Sequence, residues 1–230
     1  MTRKNDEFDM RGGGILFSEM TPPPGQEVEF NAWYDDEHIP VRMKAPGFVS
    51  AQRYRAHDGD GYLAVYEVDR LAAFDTPEYK VIKTQPSDRT RWMLKNVSGF
   101  TRYLGEELFC TADAAPPNAS VLYAIWFNVP AERAADFNAW YDQDHIPILM
   151  ESKDWLAARR FKIVDGEPER WTHLALHYLD SIKALESPEL QRARQTPWRD
   201  RLAAEPWFKG QYTLFNRHKD RHIACPTMRL

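Results

Sequence analysis

FNAWYDDEHIP at residues 30–40 returns as FNAWYDQDHIP at residues 137–147, with nine of the eleven positions identical. A match of that length in a 230-residue chain marks an internal duplication. Later landmarks keep the same order: Pro77 with Pro188, Pro86 with Pro197, Gly99 with Gly210. The repeated string joins Asn, Trp, Tyr, Asp and His and ends on proline. A stretch kept for packing alone would preserve an apolar period, not His38 with His145 and Asp35 with Asp142. The repeat therefore points to the architecture and to a chemical site together.

Bulk properties narrow the function classes. The chain is 43% hydrophobic and 28% charged, the balance of an ordinary soluble protein. A formal net charge of −4 leaves no electrostatic footprint for nucleic acid. No apolar stretch is long enough to span a membrane, and the first residues lack the apolar core of a signal peptide. Cys110 and Cys225 have neither metal-ligand spacing nor the density of a disulfide framework, which suits reduced thiols in the cytoplasm. Eight Trp in a chain this size suit a bulky core, or a cavity lined for a flat ligand.

Working outward from the repeat, residues 26–37 read as a helix, closed by Pro40 because proline disfavours helical geometry in the residue before it. Strands read at 13–20, 48–55, 62–68 and 97–105, with a helix over 69–83 broken near Thr76-Pro77 and a polar loop after it. The second copy repeats the order: strand 120–129, helix 131–145, strand 155–163, turn 165–168, strand 171–179, helix 181–195 and strand 210–217. The first unit is expected at 1–105, with residues 1–11 frayed. A linker follows at 106–119, the second unit at 120–217 and a solvated tail at 218–230. Each unit is βαββαβ, the ferredoxin-like split βαβ. The expected class is α+β: two ferredoxin-like βαββαβ modules whose sheets face each other as an intramolecular α/β barrel, enclosing a cavity between the sheets.

A ferredoxin-like unit whose first helix ends in N-x-W-Y-D-x-x-H-x-P resembles the dimeric α/β-barrel superfamily, and within it the EthD-like proteins. The residues that carry the likeness are Asn31, Trp33, Tyr34, Asp35, His38 and Pro40, and again Asn138, Trp140, Tyr141, Asp142, His145 and Pro147. It covers nearly the whole chain, as a tandem fusion. Such relatives include polyketide cyclases, cofactor-free monooxygenases, muconolactone isomerases, lyases and haem enzymes, so the likeness names a fold rather than a reaction. It implies a monomer with an internal pseudo-dimer, or a homodimer of the fused chain.

The residues suggest acid–base chemistry. On a helix Asn31, Asp35 and His38 line up, as do Asn138, Asp142 and His145, and an Asp beside a His sets its tautomer and basicity. A His at a helix C-terminus would also be drawn toward its protonated form by the helix dipole. The bland alternative is a structural corner needed by both copies. Along 62–68, Leu63 and Val65 share one face and Tyr62, Ala64 and Tyr66 the other; the second copy has Leu174 and Leu176 against His173, Ala175 and His177. The aliphatic faces are expected to meet the helices and the polar-aromatic faces to line the cavity between the sheets. Because His173 and His177 break the symmetry, the second copy is the preferred site.

The candidate catalytic residues are thus His145, His173, His177, His38, Asp142 and Asp35. Substrate contacts are expected from Tyr62, Tyr66, Trp33, Trp140, Tyr34, Tyr141, Asn31, Asn138 and Trp126, with Trp92 as a further wall, and from Arg53 and Arg160 holding a carboxylate, phenolate or enolate. No metal site is expected, since His173 and His177 on one strand stand roughly 13 Å apart. Nucleotide loops, the G-x-S-x-G elbow and H-E-x-x-H are all missing from the sequence. The expected function is a cofactor-independent lyase, decarboxylase, isomerase or cyclase acting on a hydrophobic aromatic or polyketide-like molecule. A non-catalytic binding protein or a haem or metal oxidoreductase is the alternative.

Overall fold

The computed structural model describes residues 11–111, 118–168 and 171–224. Eight strands close into one antiparallel barrel: β1 Gly14–Met20, β2 Phe48–Ala56, β3 Tyr62–Val68, β4 Arg102–Cys110, β5 Val121–Phe127, β6 Trp155–Glu167, β7 His173–Leu179 and β8 Gln211–Ile223. Their order around the barrel is β1-β3-β2-β8-β5-β7-β6-β4. Strands from the first copy are therefore contiguous, as are those from the second, and the two sets join at β2–β8 and β4–β6. Arg53 pairs with His218 at one seam and Cys110 with Arg159 at the other. Closure leaves no sheet edge unpaired. It also requires longer strands than the alternation suggested. β4 runs to Cys110, into the segment read as linker. β6 runs through the expected turn to Glu167. β8 runs to Ile223, so residues 218–223 form a paired strand rather than a solvated tail. The rest of the linker and tail readings, at 112–117 and 225–230, lies outside the described residues, as does 1–10.

The helices lie on the outside. They are α1 Glu27–Trp33, α2 Ile39–Arg42, α3 Pro77–Thr84, α4 Asp88–Asn96, α5 Ala134–Trp140, α6 Ile146–Leu149, α7 Pro188–Ala193 and α8 Pro197–Ala203. Pro77, read as a break, is a helix start, and so is its counterpart Pro188. Thr76 and Ser187 accept a backbone hydrogen bond at the cap, and Pro77 and Pro188 follow at the first helical position, where no N–H is needed. α4 and α8 replace what read as loop. In α4 only Thr90 and Met93 are buried, so the apolar stripe is too thin to stand out in sequence. Ser87 and Thr196 cap the two helices. Among the described residues no helix is long and apolar enough to cross a membrane.

The two sheet faces are the reverse of the sequence expectation. Leu63, Val65, Leu174 and Leu176 point into the barrel, where they pack with Ile15, Phe17, Tyr103, Leu122, Trp126, Phe161 and Phe215. Tyr62, Ala64 and Tyr66 instead pack under the helices with Phe30, Trp33 and Tyr34. The barrel interior is thus a packed core, and Phe17 meets Trp126 edge-on at 4.9 Å. The reason lies in hydrogen bonding. An eight-stranded barrel is just wide enough to be filled by side chains, and aliphatic groups fill it at no polar cost. Buried Tyr and His need partners, which the helices supply.

Candidate active site between helix and sheet

The repeated string builds the same helical run twice. α1 passes into a π-turn, Tyr34–His38, and on into α2; α5 passes through Tyr141–His145 into α6. The Ile39 N–H donates to the Tyr34 carbonyl five residues back, and Ile146 N–H to Tyr141 in the second copy. A proline in a regular helix would clash with the carbonyl four residues earlier. The widened turn makes room, so Pro40 and Pro147 stand in the first turns of α2 and α6 rather than ending the run. The π-turn also changes which residues share a face. In a regular helix Trp33 and His38 would stand roughly 140° apart. Here their rings lie 4.0 Å apart, with Tyr34 packed edge-on to His38 at 4.9 Å. Such turns are frequent at functional sites.

The Asp–His pairing expected from helical spacing is therefore not formed. Asn31 and Asp35 both turn to Arg53, accepting at 2.6 and 3.1 Å. Asn138 and Asp142 hold Arg160 in the same way. Each guanidinium lies over a tyrosine, 4.4 Å from the Tyr34 centroid and 4.6 Å from that of Tyr141. Four residues expected in catalysis or binding, with both arginines, thus form a strut that ties helix to sheet. This is the structural corner, and it explains why both copies retain it. Tyr62 belongs to the same strut through Glu27 and Asn31. Trp126 is inside the barrel, and Trp92 is exposed on α4.

The remaining candidates divide between two clefts, each between the outer sheet face and its helices. In the first half a cavity of about 280 Å³ opens between β1, β3, α2, α3 and α4. Its floor is Leu16, Ser18, Met20, Tyr34, His38 and Tyr66, and Arg42 and Tyr79 flank it. In the second half the matching cleft has shrunk to about 30 Å³. The shift of 107 residues between the copies shows why. Leu16, Ser18, Met20 and Phe48 become Tyr123, Ile125, Phe127 and Trp155, all larger. Phe208 adds bulk, packing on Phe127 and Trp140 at 5.2 and 5.3 Å.

Polar satisfaction separates the clefts further. In the second half His177 is bonded at both ring nitrogens, to Tyr141 Oη at 3.0 Å and by the Trp155 indole N–H at 2.9 Å. His145 Nδ1 meets the Ala193 carbonyl at 3.2 Å, and His173 Nδ1 meets Thr172 Oγ1 at 2.9 Å. Only Trp140 Nε1 among the described residues lining the second cleft is buried without a partner, whereas in the first half His38 Nδ1, Tyr66 Oη and Arg42 Nε are all buried with none. Buried polar atoms without partners are few in native proteins and call for an explanation. Here all three belong to residues that line one cavity. Burial, with the Arg42 and Arg53 charges added to it, holds His38 well below the ordinary histidine value. It is therefore neutral at pH 7, opposite to the expectation from the helix dipole, because the helical run continues to Arg42. Burial likewise raises the Tyr34 and Tyr66 phenols, which stay protonated. The second half, preferred from sequence for its histidines, is thus the packed one.

Sequence reading missed Arg42, Ser18, Leu16, Met20 and Tyr79. Laying the two halves over each other position by position would have exposed the small-to-large changes at 16, 18, 20 and 48. One consequence is testable. Ser18→Ile, which installs the second-half residue, is expected to weaken binding of a two-ring probe by about tenfold or more, since an overfilled pocket has no slack. Isothermal titration with a melting curve checks it, and unchanged affinity would place the ligand elsewhere.

Comparison with known proteins agrees with this fold. A family model described as a domain of unknown function (DUF4286) matches residues 120–213. A search of curated proteins found no match. Among solved structures, an anthrone oxidase-like protein superposes with a TM-score of 0.64 at 11% identity, covering 94% of this chain and 96% of that one. A candidate monooxygenase from Fusobacterium nucleatum gives 0.60 at 9% identity, over 92% and 95%. A variant of chlorite dismutase from Candidatus Nitrospira defluvii gives 0.57 at 10% identity, over 90% and 92%.

Proposed function

We propose that the chain is a small-molecule enzyme that works in the first-half cavity, with His38 as its proton-transfer group. The observation that carries this is the convergence of three unpartnered buried groups on an open cavity whose twin is filled, its histidines each hydrogen-bonded. A cavity of about 150 Å³ holds benzene. The one here, about 280 Å³, suits a two-ring molecule. Neutral His38 accepts a proton from an activated carbon of that ligand. Tyr66 Oη and Arg42 hold the ligand oxygen, of a ketone or a carboxylate beside that carbon, onto which charge moves, an electrostatic role in a site screened from water. Return of the proton at another atom is isomerisation, and loss of a carbon fragment is a lyase reaction. Neither needs a redox group. The like order of strands and helices in the two halves supports reading them as ferredoxin-like modules of an EthD-like tandem, in which the second module has kept the fold and lost the cavity.

A second outcome is favoured by the names of the structural neighbours, oxidase and monooxygenase. The same deprotonated carbon would be oxidised by dioxygen, one oxygen atom entering the ligand as a carbonyl and the other leaving as water. One experiment addresses both outcomes. Two-ring ketones led by 2-tetralone are incubated in deuterated buffer, with and without air, and exchange and product are followed by NMR. His38→Gln is expected to slow the reaction by about 100-fold or more, while His145→Gln leaves it nearly unchanged. A folded His38→Gln protein with the wild-type rate would refute the assignment. The rate should also hold on acidification past the ordinary histidine range, because the base form of His38 persists below it.

A further inference from the structure

Arg42 is the unusual group in the first-half cavity. It lies in the last turn of α2, with Nη1 donating to the His38 carbonyl at 2.8 Å. Its Nε is buried and unpartnered, and no acidic side chain pairs with it among the described residues. The other arginines near β2 and β6 are neutralised: Arg53 by Asp35, Arg159 by Glu67 and Glu107, Arg160 by Asp142. At the cavity mouth Arg102 is paired with Asp165, and Glu37 is occupied by Thr90 and Ser87. Lys83 is a second cation at the rim. The lining thus has two cations, Arg42 and Lys83, for which no acidic partner is found among the described residues, while its one acid, Glu37, is turned to α4 and Arg89.

We propose that the ligand of this cavity is an aromatic carboxylate, held by the free Nε–Nη2 edge of Arg42 and by the Tyr66 hydroxyl. The proposal rests on the cavity reading above and names its substrate class. The geometry of the donors argues for it. With Nη1 committed to His38, the remaining edge of the guanidinium presents two parallel N–H groups, the fork that a carboxylate accepts with both oxygens. Tyr66 is 1% exposed and still has a hydroxyl without a partner; the Arg42 guanidinium carbon lies 5.8 Å from its ring centroid. Arg42 is half-buried, and a partly desolvated cation costs free energy unless an anion meets it. With none supplied by the chain, the ligand supplies it. The apolar remainder, Leu16, Met20, Tyr34, Tyr79 and Leu94, takes the ring system.

Isothermal titration with three probes of one shape tests this: 2-naphthoate, the neutral 2-naphthalenemethanol and the cationic 2-naphthylmethylamine. The naphthoate is expected to bind about tenfold or more tighter than the alcohol, with the amine weakest. Arg42→Gln is expected to erase the difference between naphthoate and alcohol, and Arg42→Lys to keep part of it, since the charge remains and the fork is lost. Arg194→Gln, in the second-half cleft, is expected to leave all three affinities unchanged. If naphthoate and alcohol bind wild type equally, the carboxylate proposal falls and the cavity reading stands. If no probe binds, both fall. The wild-type comparison decides the matter even if the Arg42 variants are poorly folded.

Discussion

Arg159→Met is expected to destabilise the protein by about 3–5 kcal/mol, the usual cost of stranding the partner of a buried ion pair. Arg159 and Glu67 are each 1% exposed at the side chain and meet at 2.6 Å. The guanidinium also bonds Glu107 at 2.6 Å and the Gly12 carbonyl at 3.1 Å, while the Gly12 N–H donates to the second Glu67 oxygen at 3.1 Å. Gly12 is required for this closeness, because a Cβ there would stand 1.8 Å from the Val68 carbonyl oxygen. The network joins β3 and β4 of the first copy to β6 of the second, next to the β4–β6 seam. Removing the arginine leaves Glu67 buried without a cation. Melting should fall by roughly 6–20 °C. The double variant Arg159→Met/Glu67→Met should recover much of the loss, since two apolar groups of similar volume can replace a buried pair. A single-variant loss under about 1 kcal/mol by urea titration would show that the pair is solvated. None of these residues lines the first-half cavity, so ligand binding should survive in the folded variants.

What sequence could and could not convey follows from where each signal is local. The repeat exposed the duplication because eleven residues carry it, and the 62–68 alternation placed β3 at its observed bounds. The face of that strand was not legible. Leu63 and Val65 are apolar on either reading, and only barrel closure decides that they point inward. The lengths of β6 and β8 were illegible for a similar reason. Their ends are exposed on one side and are held by pairing with distant β4 and β2, which no local pattern reveals. In the motif, helical spacing put Asp35 beside His38. The π-turn, which makes room for a proline two residues past the histidine, sends the aspartate to Arg53 instead. His38 is legible in the motif, but its surroundings are not: the asymmetry at 66/177 points in sequence to the second half, whereas His177 is bonded at both ring nitrogens and Tyr66 Oη is the group without a partner.

Acidification is expected to destabilise the protein well before its carboxylates titrate, and the histidines set the sign. Burial pushes His145 and His173 down to about 4, and holds His38 and His177 well below their ordinary value. In the unfolded chain each titrates near 6.5. Below about pH 6.5 the unfolded state therefore binds protons that the folded state refuses, so stability is full above that pH and is lost as pH falls through it. For His145 and His173 the loss approaches about 1.4 kcal/mol each per pH unit, or roughly 2 kcal/mol each by pH 5. His38 and His177 add to it with the same sign. Glu19 opposes the trend, because burial raises its carboxyl and so favours the folded state in acid. His218 and His222, also lowered by burial, act with the histidines, and one group against six does not cancel the trend. Asp35, lowered despite burial by Lys219 and Arg53, adds to the loss further down. Urea midpoints at pH 7, 6 and 5 measure the slope, which counts protons directly. Replacing His173 with Gln should remove one proton from that count and leave the rest of the curve in place. If the free energy of unfolding changes by less than about 1 kcal/mol from pH 7 to pH 5, the histidines are not buried in their neutral form, and the neutral His38 on which the proposed chemistry depends goes with them.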